Sequence, residues 1–362
     1  MVIRCRDCET LPEAPPDVGS LHLAPTLAPT VEKLLALLSR SRMPVSESGT
    51  GVLSVALPES GLAKLALDLA DVLTPAELRD TPCLVTSNGA APALADLLRT
   101  VPLARLVGRI RGEWARQMLG EQRLVTHFQP IVEARAPERV FAHECLVRGR
   151  ERNGALVSPG EILPVVKAAG LLPQFDRAAR LSALRAAERR GLPWLVFVNL
   201  NPNAVHDPAT CLASTFLAVE RSEIEPERVV FEIPEAEEVA DAAHLAELVS
   251  LCRQRGFRVA LDDLGAGYAS VRLLTRLKPD FVKLDRELVE GIDTDAFKAR
   301  FVEKLLDVAC GLGIPCVAEG VETEKELRWA QERRVDYVQG FLVALPDDPP
   351  RTLRRPASQR PA

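Results

Sequence analysis

Polar side chains interrupt the apolar segments in the later two thirds of this 362-residue sequence. Each lies near the end of a short run rich in Val, Leu, Ile and Phe, and together they are Glu144, Asn199, Glu232, Asp262, Asp263, Lys283, Glu319 and Gln339. An unpaired carboxylate buried in such a run costs several kcal/mol or binds a proton. One such residue is typical of an ordinary polar strand end, but seven runs with the same feature indicate a shared site.

The residue types of this set favour metal chemistry. Five carboxylates gathered at one place need positive charge, and oxygen ligands without Cys or His favour Mg²⁺ or Mn²⁺ over Zn²⁺. The adjacent Asp262 and Asp263 are suited to bridge two ions about 3.5–4 Å apart, which activate water and stabilise an in-line displacement at phosphorus. Lys283 would either help to deprotonate that water or hold developing negative charge. The pattern predicts metal-assisted phosphodiester hydrolysis.

Eight apolar runs must position these groups. They span residues 127–133, 140–148, 195–201, 229–235, 258–265, 281–285, 316–322 and 335–342. Helical patterns fill most of the gaps after the second run, as at 175–191 and 240–256, and both of these end at a glycine, the expected helix stop. Strands that alternate with helices pair in parallel, and eight of them predict a closed barrel whose carboxyl-terminal mouth carries the active site.

The first connection is an exception to this alternation. Only residues 134–139 separate the first two runs, whereas a parallel crossover needs about a dozen residues or more. The first strand should therefore form a hairpin with the second. The predicted fold is α/β, a modified TIM (β/α)8 barrel with one antiparallel strand, plus a small N-terminal α/β domain.

Length and composition set the domain organisation. A chain of 362 residues fits two domains, and 47% hydrophobic residues exclude wholesale disorder. We expect an N-terminal α/β module at 1–110, a barrel at 111–348 and a flexible tail at 349–362. The role of the module is unknown, and regulation is the candidate. Within the module, helices are predicted at 29–41, 61–73 and 90–99, and strands at 51–57 and 83–87.

Charge and hydropathy exclude some classes of partner and some cellular compartments. A net charge of −5 argues against binding of a nucleic-acid polymer through a general basic field. No run approaches the roughly 18 apolar residues that cross a bilayer, and the N-terminus lacks the apolar core of a signal peptide. These features predict a cytoplasmic protein with no membrane partner.

The eight cysteines form no dense framework of the secreted kind. Cys5 and Cys8 have the spacing of half a zinc site, with His22 as the only nearby candidate for a third ligand. A pair of free thiols is the favoured interpretation, and a Zn²⁺ ion at Cys5 and Cys8 is the alternative.

Eight segments taken together resemble the EAL-domain family in order and spacing. They are FQPIV (128–132), HECLVR (143–148), VNLNP (198–202), FEIPE (231–235), LDDLGAGYAS (261–270), VKLDR (282–286), VAEGVET (317–323) and QGF (339–341). The resemblance covers roughly residues 111–348. It implies a bacterial phosphodiesterase that opens cyclic di-GMP to linear pGpG in second-messenger signalling.

The same resemblance assigns roles to individual residues. It implies one metal held by Glu144, Asn199, Glu232 and Asp262, and a second held by Asp262, Asp263 and Glu319. It makes Lys283 the group that activates or holds the attacking water, with Glu144 and Glu319 catalytic beside it. It implies that Gln339 bonds a metal-bound water, and that Arg148, Gln129 and Asp285 contact the substrate. Glu235 resembles the residue that anchors the loop after Asp263, a loop that in the family couples metal binding to dimerisation, so a homodimer through the barrel is expected.

Several alternatives stay open at this point. Arg148 is also compatible with an ordinary surface arginine, and Glu235 and Asp285 with strand-end or helix-capping roles. The sequence departs from the family pattern at Pro234, Leu264 and Ala266, although no metal ligand is lost. A catalytically weak module that acts as a cyclic di-GMP receptor is therefore the second functional hypothesis.

Overall fold

The structure, a computed structural model, describes residues 5–16, 18–47, 51–59, 61–87, 92, 96, 98–234, 242–265 and 270–350. The chain forms two compact units. The barrel unit takes Met1–Glu9, Gln122–Ser158 and Pro173–Ala362, and the N-terminal unit takes Thr10–Glu121 and Pro159–Leu172. This division differs from the expected single boundary near residue 110, because two helices before residue 121 and one after residue 158 pack with the N-terminal residues. Most of the tail expected at 349–362 lies outside the described residues.

The elements up to residue 120 alternate irregularly between helix and strand. In chain order they are α1 (Arg6–Glu9), β1 (Gly19–Leu23), α2 (Ala28–Arg40), β2 (Val45–Glu47), β3 (Leu53–Leu57), α3 (Gly61–Val72), α4 (Pro75–Asp80), β4 (Pro82–Thr86), β5 (Val101–Pro102), α5 (Leu103–Arg111) and α6 (Glu113–Gly120). Helix α1 belongs to the barrel unit and the others to the N-terminal unit.

The N-terminal unit is built on an antiparallel sheet of strand order β2-β3-β1-β4-β5. Its core is rich in leucine, since α2 buries Leu34, Leu37 and Leu38 at helical spacing. The predicted helices at 29–41 and 61–73 and the strands at 51–57 and 83–87 are confirmed. The central strand β1 was not predicted, and the helix expected at 90–99 falls mostly outside the described residues.

The remaining elements build the barrel and its outer helices. They are β6 (Leu124–Glu133), β7 (Ala136–Arg150), β8 (Leu156–Val157), α7 (Pro159–Ala169), α8 (Leu172–Arg190), β9 (Leu195–Asn199), α9 (Pro208–Cys211), α10 (Ala213–Glu220), β10 (Val229–Pro234), α11 (Ala242–Gln254), β11 (Arg258–Leu264), α12 (Ser270–Leu277), β12 (Phe281–Leu284), α13 (Arg286–Val289), α14 (Ala296–Gly311), β13 (Cys316–Ala318), α15 (Glu324–Glu332) and β14 (Tyr337–Val338). Helix α7 packs in the N-terminal unit.

Eight of these strands close into a barrel with one reversed member. Strands β7 and β9 to β14 pair in parallel around the ring, and β6 closes it through antiparallel pairing with both β7 and β14. The β6–β7 hairpin is tight, since Glu133 pairs with Ala136. The predicted modified TIM barrel with one antiparallel strand is confirmed.

An apolar layer fills the barrel interior on one side of the polar groups. Its buried members come from seven strands and are Ile131, Ala142, Phe197, Val230, Ala260, Phe281 and Val317. The rings of Phe197 and Phe281 lie with centroids 5.4 Å apart. Side chains along a strand alternate between faces, so on the parallel strands the residue two positions on from each of these also points inward and lies nearer the mouth. On the reversed β6 the residue two positions back does so. Among the helices that the structure describes, none is long and apolar enough to cross a membrane.

Candidate active site

Lys283 occupies the centre of the barrel mouth. Its side chain is 1% exposed and comes from β12. Its Nζ lies 2.5 Å from Glu232 Oε1, 3.3 Å from Asp262 Oδ1 and 3.4 Å from Glu144 Oε2, and it also makes an ion pair with Glu319. Four carboxylates from four strands therefore converge on one ammonium group.

An amide pair holds Glu144 from the side of the reversed strand. Gln129 on β6 pairs with Glu144 on β7. The Gln339 amide donates to Glu144 Oε2 at 2.6 Å and to Gln129 Oε1 at 3.0 Å, and the Gln129 amide donates to the carbonyl of Ala344 at 3.1 Å. The antiparallel strand thus helps to orient the glutamate at the mouth.

Gly340 allows Gln339 to reach this position. A Cβ atom at Gly340 would overlap the backbone of Val321, and the Val321 N–H donates to the Gln339 carbonyl at 3.0 Å. The glycine of the QGF segment is therefore explained by close backbone packing beside the site.

Three buried oxygen atoms at the mouth lack ordinary partners. Apart from the Lys283 ammonium, Glu232 Oε1 and Asp262 Oδ1 have no hydrogen-bond partner among the described residues, and Gln339 Oε1 has none there either. Asn199, at the end of β9, donates its amide to Glu232 Oε2 at 3.3 Å, which leaves its own carbonyl oxygen for another ligand. Such orphan oxygens, all hard ligands, fit a divalent cation.

Asp262, Asp263 and Glu319 form a second cluster at the same mouth. One carboxylate oxygen of each lies within 4.8 Å of the others, a spacing that fits joint binding of one ion. Asp263 has φ +57°, a left-handed conformation that is uncommon outside glycine and frequent at functional sites. It also forms a hydrogen bond with Asp285, and Asp285 accepts from the Glu287 N–H at 2.6 Å to cap α13.

Burial shifts the proton affinities of these groups. Burial and the neighbouring carboxylates raise the pKa of Glu232 and Glu319 well above the ordinary value, and Lys283 opposes the shift. Burial, with the charges of Asp262 and Asp285, raises the pKa of Asp263 to about 7. Burial lowers the pKa of Lys283, but the four carboxylates raise it more, so the ammonium stays charged. The site therefore attracts positive charge strongly.

A cavity of about 300 Å³ opens above these residues. Its walls include Gln129, Glu144, Asp262, Asp263, Glu319 and Gln339, and its rim adds Arg286, Glu322 and Phe341. Arg286 pairs with Glu322 at 3.0 Å, and Phe341 is 47% exposed. Sequence reasoning assigned no role to these three rim residues, although each lies within or next to a quoted segment. Their side chains offer a cation, a carboxylate and an aromatic face.

Arg148 and Glu235 are the remaining predicted substrate and loop residues. Arg148 lies on β7 four residues beyond Glu144, half-buried, where burial lowers the pKa of its guanidinium and Glu144 raises it. It faces the same side of the strand as Glu144 and donates to the Val147 carbonyl at 2.8 Å. Glu235 lies outside the described residues.

The predicted zinc ligands are only partly brought together. Cys5 and Cys8 lie with Cys211, a residue that the spacing did not indicate. His22 is occupied in the sheet of the N-terminal unit, where its ring nitrogens lie 2.8 Å from Ser54 Oγ and 3.1 Å from Thr86 Oγ1.

Comparison with known proteins supports a common origin for the barrel. A model of the EAL domain matches residues 113–346. A probable cyclic di-GMP phosphodiesterase, PdeG of Escherichia coli K12, is 27% identical over 237 residues, which are 65% of this chain and 46% of that protein. The bifunctional diguanylate cyclase/cyclic di-GMP phosphodiesterase MucR of Pseudomonas aeruginosa is 30% identical over 64% of this chain and 34% of its own length. The chain thus spans less than half the length of these relatives.

Solved structures show the same fold. A standalone EAL protein from Vibrio cholerae O395, bound to c-di-GMP, is 32% identical with a TM-score of 0.56 and covers 62% of this chain and 92% of its own. The PaMucR phosphodiesterase in complex with c-di-GMP is 28% identical with a TM-score of 0.59, covering 68% of this chain and 98% of its own.

Proposed function

Because the chain belongs to the EAL domain family, we propose that its barrel hydrolyses cyclic di-GMP to linear pGpG with Mg²⁺ or Mn²⁺. One observation carries the proposal: a buried lysine ringed by four carboxylates at the open mouth of the barrel. A purely structural lysine would need one partner, and a buried charge cluster of this size costs stability. Chemistry at the mouth accounts for such a cluster better than stability does.

The oxygen ligands divide into two overlapping sets around Asp262. Glu144, Asn199, Glu232 and Asp262 would hold one ion, and Asp262, Asp263 and Glu319 the other. The partnerless oxygens of Glu232 and Asp262 and the 4.8 Å grouping of Asp262, Asp263 and Glu319 support these sets. When bound, the two ions would lower the pKa of a water and stabilise the charge on phosphate oxygens.

In this proposal, Lys283 positions the attacking water and stabilises negative charge. Its ammonium lies within ion-pair distance of members of both ligand sets, so it reaches the place where a water between them would lie. A charged donor there positions the water and stabilises negative charge that develops on the phosphate. Gln339 would hold a water of the same shell through its free carbonyl oxygen.

Residues in and around the mouth would hold the dinucleotide. Arg148 has the planar fork that binds a phosphate through two hydrogen bonds, and Gln129 and Asp285 complete the predicted substrate contacts. The exposed ring of Phe341 is suited to stack on a guanine base, since base–aromatic stacking is worth about 1–3 kcal/mol.

The test is turnover by the purified chain. With Mn²⁺ and cyclic di-GMP, the wild type should produce pGpG on chromatography, and EDTA should stop it. Glu144→Gln removes one ligand charge at constant volume and should abolish the product, whereas the exposed Glu151→Gln should not. Cyclic di-GMP binding by the wild type without pGpG would refute hydrolysis and support the receptor alternative.

The proposal also includes an oligomeric state, a cellular compartment and a role for the N-terminal unit. A homodimer through the barrel is supported by Phe297 and Phe301, which lie one turn apart on α14 and are 84% and 45% exposed. A cytoplasmic location agrees with the eight cysteines, none of which forms a disulfide. The N-terminal unit, with its own leucine core, is proposed to regulate the barrel.

A further inference from the structure

Three cysteines, one of them distant in sequence from the other two, meet in the barrel unit. Cys5 precedes the short helix α1, Cys8 lies within it, and Cys211 ends α9. Their Sγ atoms all lie within 4.8 Å of one another, and those of Cys5 and Cys211 are 3.6 Å apart. Tetrahedral zinc with Zn–S bonds of about 2.3 Å places its sulfur ligands about 3.8 Å apart. The three thiols are thus spaced as ligands of one ion.

Burial raises the pKa of the Cys8 and Cys211 thiols, so a metal ion would displace their protons on binding. Arg177 and the fully buried Arg180 lie close enough to act electrostatically on the cluster. Three thiolates and one Zn²⁺ would carry a net charge of −1 close to these guanidinium groups, which also pair with Asp176 and Glu9.

Within the described residues, the N-terminal segment buries Cys5 and Cys8 in the core of the barrel unit and also makes polar contacts. The Gln174 amide donates to the Asp7 carbonyl at 2.6 Å, and Arg177 lies 3.9 Å from Glu9. A four-residue helix has little stability of its own. A metal bond would add a strong constraint to these contacts, as in small zinc modules whose folding depends on the ion.

We propose that Cys5, Cys8 and Cys211 bind a structural Zn²⁺ ion that fastens the N-terminal helix to the barrel. The fourth coordination position is left to water or another non-cysteine ligand. The site shares no ligand with the carboxylate mouth, so it stands whether or not the chain hydrolyses cyclic di-GMP.

The test uses the full chain loaded with Co²⁺ in place of Zn²⁺. Cobalt bound to thiolates gives near-ultraviolet charge-transfer absorption, and cobalt bound to carboxylates does not. The wild type should show this band at one equivalent. Cys8→Ser and Cys211→Ser should lose it, whereas Cys316→Ser, a buried cysteine outside the cluster, should keep it.

A second measurement uses only the wild type, so it tests the proposal even when the cysteine variants fail to fold. Titration of the zinc-loaded chain with an organomercurial should release one Zn²⁺ to a chromogenic chelator as the thiols react. A folded wild type without the cobalt band, or a band that survives both Cys8→Ser and Cys211→Ser, would overturn the proposal. So would release of no zinc during the thiol titration.

Discussion

The barrel interior has two layers, and the same strands build both. Seven of its eight strands place an inward residue in the lower layer and, two positions later, another at the mouth: Ala142 and Glu144, Phe197 and Asn199, Val230 and Glu232, Ala260 and Asp262, Phe281 and Lys283, Val317 and Glu319, Tyr337 and Gln339. The reversed strand β6 follows the same rule backwards, with Ile131 below and Gln129 at the mouth.

The lower layer contributes to the stability of the fold, whereas the upper layer carries the charged groups of the proposed site. The lower layer is dry and apolar, so its burial stabilises the fold by about 25 cal/mol per Å². The upper layer buries charges that cancel one another only in part, and such clusters are commonly no more stable than apolar replacements. Because inward side chains lie two residues apart on each strand, a stabilising apolar layer lies directly beneath the reactive mouth.

The largest expected effect comes from removal of the central cation. Lys283→Met should lower kcat by about 10³-fold, since it removes a charged group positioned at the reacting phosphate. In EDTA it should also destabilise the fold by about 3–5 kcal/mol, because four buried carboxylates lose their cation. Mn²⁺ should restore much of that stability in thermal melts. Lys325→Met, on the exposed face of α15, should change neither quantity; a stable, active Lys283→Met protein would contradict the account.

In the lower layer, by contrast, a substitution should change stability by an amount that does not depend on metal. Phe281→Ala removes a ring that contacts Phe141, Phe197 and Tyr337, and should destabilise the fold by about 3–5 kcal/mol. In denaturant unfolding this loss should be the same with EDTA and with Mn²⁺. If the loss disappears on addition of metal, the two layers are not independent.

A histidine on the outer face of β7 gives a pH test. His143 is 2% exposed beside Phe128 and Trp194, and burial lowers its pKa from 6.5 to about 4. The unfolded chain therefore takes up a proton before the folded one does. Stability from this group is complete above pH 6.5 and falls by about 3 kcal/mol as the pH drops to 4. His143→Leu should flatten that part of the stability–pH curve, while the exposed His206→Leu should leave it unchanged; a curve unaltered by His143→Leu would count against this assignment.

The smallest effect is expected beyond the mouth. Arg148→Lys keeps the charge but loses the planar fork, and should raise KM for cyclic di-GMP about tenfold with little change in kcat. Arg150→Lys, on the exposed end of the same strand, is the matched control. Equal KM values for both variants would remove Arg148 from the substrate contacts.

The sequence predicted the barrel well because its signals are local. Apolar runs ended by a polar residue located seven inward-facing groups, and the short linker at 134–139 indicated the reversed strand, which β6 confirms. The same rules missed β1, whose short GSLHL run carries a histidine that bonds to neighbouring strands. Strand pairing between distant segments leaves no trace in local periodicity.

Contacts that depend on tertiary packing were beyond the sequence for the same reason. The central position of Lys283 among four carboxylates needs the closed ring, and the placement of Cys211 beside Cys5 spans 206 residues. His22 was the nearest candidate along the chain, but its hydrogen bonds engage it elsewhere. The single boundary expected near residue 110 also failed to show that residues 159–172 pack with the N-terminal unit.

The central claim is that the polar layer is a hydrolytic site, and one experiment addresses it directly. Purified wild type and Lys283→Met are incubated with Mn²⁺ and cyclic di-GMP, and bound nucleotide and pGpG are both quantified. The account predicts that both proteins bind the dinucleotide and that only the wild type converts it to pGpG at a measurable rate. Binding by both without pGpG from either would contradict it.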